Sequence, residues 1–328
     1  MTEKIDNKKI SKLKERVYDL LDKNRCNEDN KDSATHQSYG LFRGIFTLDN
    51  IQRKEFMEIY TKAINAGVND FSILERQKEF APIIVDIDLE VPVDNYENDT
   101  RLYDNKMIKN ISSKYLESIR TYMDVPDHKF KFFLFEKNKP TIRDEVVKDG
   151  FHLVFPDLCI QTKVRHLLRY KVVKMCEEEE TFEGFLNGPD KIIDKSVVSA
   201  NGWFLYGSTK PNGQPYTLTK IFDGNINTIY DHQKGIEYNP KTGEESESHY
   251  EFDTLINYLS LQSKTYSKKY ATPLQDEYVD SDIDAECEKL GINSTVKAEE
   301  VKFDIPVCKE DEVRRACKLT SMLNEKRA

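Results

Sequence analysis

The sequence has few cysteines and no long apolar run. Six of its 328 residues are cysteines, and none forms a CxxC pair, so neither a zinc ribbon nor a disulfide framework is indicated. No stretch approaches the ~18 consecutive apolar residues of a membrane-spanning helix. The N-terminus is charged from residue 3 and lacks an apolar signal core. We therefore expect an intracellular protein in a reducing compartment, with no membrane partner.

Basic residues are also outnumbered, 49 against 58 acidic ones, which gives a net charge of −9. This balance argues against a protein that coats nucleic acid nonspecifically. The charge is uneven, because residues 163–174 carry five basic residues and no acid, whereas 275–288 carry seven acids and no base. The basic segment is most simply a solvated helix face. A local surface for nucleic acid is the alternative.

Strand and helix patterns interleave along the chain, which predicts an α/β or α+β fold. We divide the chain into an N-terminal helix and loop (1–34), a core (35–270), and an acidic linker with the start of a following domain (271–328). The last part has few apolar residues before position 301. We expect it to be mobile, or to be ordered only by contact with the core or another subunit.

Two aspartates within one apolar strand are the sharpest chemical signal. Asp86 and Asp88 lie in the segment IIVDIDL, residues 83–89. Because strand side chains alternate, both carboxylates point to one face and the apolar neighbours to the other. Like charges side by side are costly unless a cation offsets them, and paired carboxylates suit Mg²⁺ or Mn²⁺. A strand that ends in solvent, where acids are ordinary, is the alternative.

Other candidate residues carry weaker signals. His152, in the strand pattern FHLVF, is either a structural histidine, a phosphate donor or a metal ligand. Asp194 follows a short apolar run, as a helix-capping carboxylate also does. The segment YGSTKPNG (206–213) offers backbone amides, the hydroxyl of Ser208 and the ammonium of Lys210, which together could hold a phosphate. It is not a Walker loop, and a plain surface turn is its simplest interpretation.

Taken in order, these segments resemble the archaeo-eukaryotic primase superfamily, specifically the primase-helicases of large nucleocytoplasmic DNA viruses. The shared pattern is an apolar strand with Asp-x-Asp (84–88), a His motif on a later strand (150–156), and then Asp194 in IIDKSV. The viral branch also has a run like NGWFLYGSTKP followed by YTLT, here within 201–219. The resemblance covers about residues 35–265.

This resemblance implies an α+β archaeo-eukaryotic primase fold, in which a small N-terminal α/β unit packs on an RNA-recognition-motif-like sheet with the site between them. It implies a DNA-directed nucleotidyltransferase, a template-dependent primase that makes short primers on single-stranded DNA for viral genome replication. The implied partners are the single-stranded template, nucleoside triphosphates and a helicase domain of the same longer polypeptide, at a viral replication site in the host cytoplasm or nucleus. Residues 319–328 resemble the opening of that next domain, so we expect an N-terminal fragment.

The resemblance also implies roles for the candidate residues. Asp86, Asp88 and Asp194 would hold two divalent ions, Mg²⁺ or Mn²⁺, about 3.5–4 Å apart, and no zinc is expected. The triphosphate of the incoming nucleotide would be contacted by three residues, His152, Ser208 and Lys210.

The sequence leaves one contact and two other functions open. Where many relatives have an arginine upstream of the phosphate loop, this chain has the apolar segment 203–205, so the second phosphate contact is unassigned. A non-catalytic module could bind single-stranded DNA or nucleotide through the basic segment 163–174 and exposed aromatics. A two-metal nuclease could use the same carboxylates for hydrolysis.

Overall fold

The structure is a computed structural model that describes residues 7–27, 29–97 and 100–292. These residues form an α+β fold of two antiparallel sheets and several helices, as predicted, whereas the likeness to an RNA-recognition motif stays a prediction. The helices are α1 (Asn7–Lys23), α2 (Asn50–Asn65), α3 (Asn105–Tyr122), α4 (Thr162–Glu178), α5 (Pro189–Ile192), α6 (Ser196–Ser199), α7 (Phe252–Leu259) and α8 (Asp280–Lys289). In the described part of the chain, no helix is long and apolar enough to cross a membrane.

The strands fall into a smaller and a larger sheet. Those of the smaller sheet are β1 (His36–Ser38), β2 (Gly44–Phe46), β3 (Ile73–Glu75) and β8 (Trp203–Phe204). Those of the larger sheet are β4 (Phe80–Pro92), β5 (Phe132–Glu136), β6 (Thr141–Arg143), β7 (Val146–Gln161), β9 (Thr217–Phe222), β10 (Thr228–Asp231), β11 (Ile236–Tyr238) and β12 (Glu245–Glu247).

The smaller sheet belongs to the N-terminal unit, but one of its strands comes from much later in the chain. Its order is β2-β1-β3-β8, and α1 and α2 contribute to the core beside it. That core includes Phe56, Tyr60 and Phe71 together with Leu205, which follows β8 directly. The late strand therefore fixes residues 203–205 to the N-terminal unit.

The larger sheet is built around its two longest strands. Its order is β12-β11-β10-β9-β5-β7-β4, with β6 added to β7, and β4 pairs with β7 along nearly its whole length. One face of β4 carries Val85, Ile87 and Leu89 into a large core shared with α3 and α4. This burial confirms the predicted alternation of β4, because Asp86 and Asp88 then lie on the opposite face.

The basic helix α4 is neutralised within the chain. Its five basic side chains all have partners, and the two arginines are buried. The contacts are Lys163 with Asp280 and Asp284, Arg165 with the carbonyl oxygens of Lys78 and Val198, Arg169 with Asp190, Lys171 with Glu286, and Lys174 with Glu177. Four of these charges have acidic partners and Arg165 is buried against neutral carbonyl oxygens, so α4 offers little free positive charge to nucleic acid. This weakens the hypothesis of a binding module based on this helix.

The acidic segment after residue 270 supplies several of these partners. Its described part, 271–292, packs against the core: Tyr278 contacts Tyr122 at a ring-centroid distance of 5.2 Å, and Ile283 and Cys287, one helical turn apart, are buried against α4. We expected this segment to be either mobile or ordered by contact with the core, and the packing agrees with the second alternative. The domain boundary near 270 stays a prediction, and residues 319–328, expected to open a following domain, lie outside the described residues.

The packing of α8 can be tested by truncating one of its buried side chains, that of Ile283. Ile283→Ala should lower the free energy of unfolding by about 2–4 kcal/mol, because Ile283 is fully buried and its removal leaves a cavity. Glu288→Ala, on the exposed side of the same helix, is the matched control and should cost less than about 0.5 kcal/mol. Denaturant unfolding followed by circular dichroism measures both. Equal, small effects would show that α8 adds nothing to the core.

Candidate active site

The face of the larger sheet opposite α3 and α4 combines an apolar end with a polar end. Three adjacent strands, β4, β7 and β5, form it, and directly opposed residues share a face. The rows across these strands are Ile84, Val154 and Phe133, then Asp86, His152 and Phe135, then Asp88 and Gly150. The first row packs in an apolar cluster with side chains of α7. The polar residues therefore lie on the same face, further along the strands.

Asp86 and His152 form the centre of the polar end. The Nε2 atom of His152 lies 3.2 Å from Oδ1 of Asp86, and the two side chains are only 13% and 15% exposed. Burial raises the pKa of Asp86, but the neighbouring His152 and two lysines outweigh it and hold this pKa below its usual value. Burial lowers the pKa of His152, and Asp86 only partly offsets this effect. The contact with His152 therefore favours the ionised form of the Asp86 carboxylate.

The imidazole ring of His152 is held between two aromatic side chains. Its centroid is 3.4 Å from that of Tyr216, with nearly parallel planes, and 4.5 Å from that of Trp203. Trp203 belongs to β8 of the smaller sheet, so His152 lies where the two sheets meet. This packing restricts the imidazole to one orientation.

Asp88 experiences the charge of its neighbour directly. The Asp86 carboxylate, together with burial, raises the pKa of Asp88 to about 7, while Lys210 and Lys137 oppose this effect. Among the described residues, the buried Oδ1 of Asp86 has no hydrogen-bond partner of suitable geometry. Two largely buried carboxylates side by side attract a cation, and hard oxygen donors suit Mg²⁺ or Mn²⁺. Asp86 and Asp88 thus fit a divalent ion.

Asp194 is beside this pair, although its carboxylate is engaged elsewhere. Its backbone amide donates to the carbonyl oxygen of Asp86 at 3.0 Å. Its carboxylate accepts hydrogen bonds from the amide and the hydroxyl of Ser196, at 2.8 and 2.6 Å, at the start of α6. Within residues 7–27, 29–97 and 100–292, no three His, Cys, Asp or Glu side chains are grouped closely enough to hold a metal ion. The role of Asp194 as a third metal ligand stays a prediction.

The loop after β8 carries both predicted phosphate contacts, Ser208 and Lys210, and the structure favours only Lys210 as a direct contact. Ser208 is buried, and its hydroxyl bonds to the hydroxyl of Tyr60 at 2.9 Å and accepts from the amide of Ile73 at 3.3 Å. This burial favours a supporting role for Ser208 over the predicted contact with triphosphate. Lys210 is exposed, and its charge acts on Asp86, Asp88 and His152.

One cation at the site was missed by sequence reasoning. Lys137 directly follows β5, and its Nζ lies 4.6 Å from the ring centroid of Tyr216. Burial lowers the pKa of Lys137, while Asp88 and Asp86 act to raise it. The alternation of β5 continues from Phe133 and Phe135 to Lys137. That signal becomes usable only once β5 is known to lie beside β7.

A polar network connects the backbone at Lys137, just after β5, to Asp149, the residue before Gly150 in β7. Asp149 pairs with Arg101 at 2.9 Å and accepts from the amide of Leu102 at 3.0 Å. Arg101 also donates to the carbonyl oxygen of Lys137 at 2.6 Å. The network therefore connects the end of β5 to the part of β7 that contains His152.

Gly150 permits the close approach of β7 to β4 at the site. It is opposite Asp88 in the ladder, and a Cβ atom added to it would lie 1.8 Å from the carbonyl oxygen of Ile87. No side chain can be accommodated at that distance without moving one of the two strands. The glycine is thus required by the geometry that sets Asp88 beside Asp86 and His152.

Comparison with known proteins identifies the family of the chain. Residues 35–222 match the family model described as the C962R protein N-terminal AEP domain, where AEP denotes archaeo-eukaryotic primase. The chain is 29% identical over 223 residues to "Putative helicase L207/L206" of Acanthamoeba polyphaga mimivirus, which covers 66% of this chain and 23% of the relative. It is 28% identical over 214 residues to "Putative helicase 184R" of Invertebrate iridescent virus 6, covering 60% and 22%. The chain thus spans less than a quarter of these curated relatives.

The requirement for glycine at position 150 can be tested by adding a single methyl group. Gly150→Ala should lower the free energy of unfolding by about 3 kcal/mol, because overpacking forces a backbone shift. Gly188→Ala is the matched control, since a Cβ atom there meets nothing within 4 Å. Thermal and denaturant unfolding of both variants give the comparison. A Gly150→Ala protein as stable as the control would contradict the close approach of the two strands.

The repulsion between the two aspartates predicts a pH effect in metal-free buffer. The pKa of Asp88 is about 7 in the folded protein and about 3.9 in an unfolded chain. The proton therefore favours the fold, and this contribution to stability is complete below about pH 4 and is lost as the pH rises through about 7. Asp88→Asn avoids this loss and should be more stable than the wild type at pH 8, by about 1–2 kcal/mol.

Denaturant unfolding in chelator at pH 4 to 8 measures this difference. The advantage of Asp88→Asn should grow from pH 4 to pH 7 and be constant above it. Asp94→Asn, which changes an exposed aspartate just beyond β4, should follow the wild type throughout. An advantage that does not vary with pH, or a less stable Asp88→Asn protein at pH 8, would contradict the repulsion.

Proposed function

The chain belongs to the family of C962R-type archaeo-eukaryotic primase domains, and from this membership we propose that it is a template-dependent primase. In this reaction a 3′-hydroxyl attacks the α-phosphorus of a nucleoside triphosphate paired with single-stranded DNA, and pyrophosphate leaves. The observation that carries the proposal is the pair Asp86 and Asp88 on one sheet face, short of a cation and beside His152 and Lys210.

The aspartates would serve as metal ligands. When bound, two divalent ions supply activation of the attacking hydroxyl and neutralisation of the triphosphate charge. Asp86 and Asp88 would hold them, and the ions would in turn relieve the repulsion that raises the pKa of Asp88. Asp194 would complete the set if its carboxylate turned from Ser196 towards Asp86, whose carbonyl its backbone amide already contacts.

His152 and Lys210 would bind the triphosphate. An imidazole N–H can donate to a phosphate oxygen, and the rings of Trp203 and Tyr216 fix the direction in which His152 presents its nitrogens. Lys210 adds an exposed ammonium. Ser208 would act indirectly, because its hydroxyl anchors this loop to Tyr60 in the N-terminal unit.

The partners follow from the same proposal. The relatives that carry helicase names extend well beyond the matched segment. We therefore propose that the chain works with a helicase domain of the same longer polypeptide in the replication of a viral genome, on single-stranded DNA.

The proposal predicts metal-dependent primer synthesis. With a single-stranded DNA template, nucleoside triphosphates and Mg²⁺ or Mn²⁺, the protein should make short primers. The double variant Asp86→Asn/Asp88→Asn should lose at least about 1,000-fold of this activity, because it loses the negative charge that holds the ions. It should also lose the thermal stabilisation that Mn²⁺ gives the wild type. Electrophoresis of labelled products and thermal melts measure the two effects.

Controls distinguish the other two functions. Asp94→Asn should retain full synthesis and full stabilisation by Mn²⁺. Cleavage of labelled DNA with metal but without nucleotides would instead indicate a nuclease. Template binding that is unaffected by the double substitution, in a wild-type protein that makes no primer, would indicate a non-catalytic binding module.

A further inference from the structure

Lys137, which directly follows β5, continues the row across the sheet that contains Asp88. Glu136, the last residue of β5, is opposite Phe151 of β7, so Lys137 comes beside Gly150. Gly150 is in turn opposite Asp88. Because Gly150 has no side chain, no side chain of β7 stands between Lys137 and Asp88 in this row.

The ammonium of Lys137 is near the site charges without being paired to them. It lies over the ring of Tyr216, which stacks on His152, and within the described residues it makes no ion pair or hydrogen bond. This differs from α4, whose basic side chains all have partners. A partly buried ammonium without an acceptor is costly, so the site lacks an anion as well as a cation.

We propose that Lys137 supplies the second cationic contact to the triphosphate, so that Lys137 and Lys210 together form the polyphosphate site beside His152. This inference rests on the proposed function and assigns the contact that the apolar segment 203–205 cannot provide. The ligand is a nucleoside triphosphate, recognised at this point through its phosphate oxygens. The alternative role for Lys137 is an internal counter-ion of Asp86 and Asp88.

Direct binding of inorganic triphosphate separates these roles. Lys137→Met keeps the apolar stem over Tyr216 and removes only the charge, whereas Lys137→Arg keeps the charge. In Mg²⁺ buffer, calorimetry should show binding weakened about 10-fold or more for Lys137→Met, as expected for a lost charge-assisted hydrogen bond. Lys137→Arg should stay within a few-fold of the wild type. Lys139→Ala, which removes an exposed lysine two residues away, should bind like the wild type.

Two further measurements complete the test. Binding of adenosine, which has no phosphate, should be the same in all four proteins. Mn²⁺ binding without phosphate distinguishes the counter-ion role: if Lys137→Met binds Mn²⁺ more tightly and triphosphate as well as the wild type does, the inference is wrong. A wild-type protein that binds no triphosphate would overturn the proposed function itself, whereas equal binding by wild type and Lys137→Met would overturn only the role of Lys137.

Discussion

Repulsion between the carboxylates of Asp86 and Asp88, fixed on the same face of one strand, is the constraint on which the rest of the site depends. The alternation of β4 leaves the two charges no way to separate, so the pKa of Asp88 rises to about 7. Lys137 and Lys210 moderate this repulsion from a distance and pair with neither carboxylate among the described residues. The site thus has carboxylates that lack a bound cation and lysines that lack a bound anion. This combination suits a complex of divalent metal and polyphosphate.

The two sheets position different charged residues of the site. The larger sheet fixes Asp86, Asp88 and His152 through the long pairing of β4 with β7. The smaller sheet holds β8, and its residue Ile73, together with Tyr60 of α2, bonds to Ser208 in the loop that carries Lys210. Movement of one sheet relative to the other would therefore change the distance between Lys210 and the two aspartates.

Local periodicity predicted the parts of the site that lie within one element. The alternation of β4 was enough to place Asp86 and Asp88 on one face, and the structure confirms it. Lys137 could not be found this way, because its role depends on β5 being the neighbour of β7. The burial of Ser208 likewise depends on Tyr60, which is distant in the chain. The acidic residues of α8 were predicted to belong to a linker, because their basic partners lie on α4. Ion pairs between two helices produce no periodic pattern in the sequence of either helix.

The most direct test of the account is a crystal structure of the protein with Mn²⁺ and a non-hydrolysable nucleoside triphosphate. We expect manganese density between Asp86 and Asp88, with the carboxylate of Asp194 turned away from Ser196 to join them. The triphosphate should lie between that density and His152. Manganese bound elsewhere, or Asp194 still bonded to Ser196 in a complex with nucleotide, would contradict the proposed three-aspartate centre.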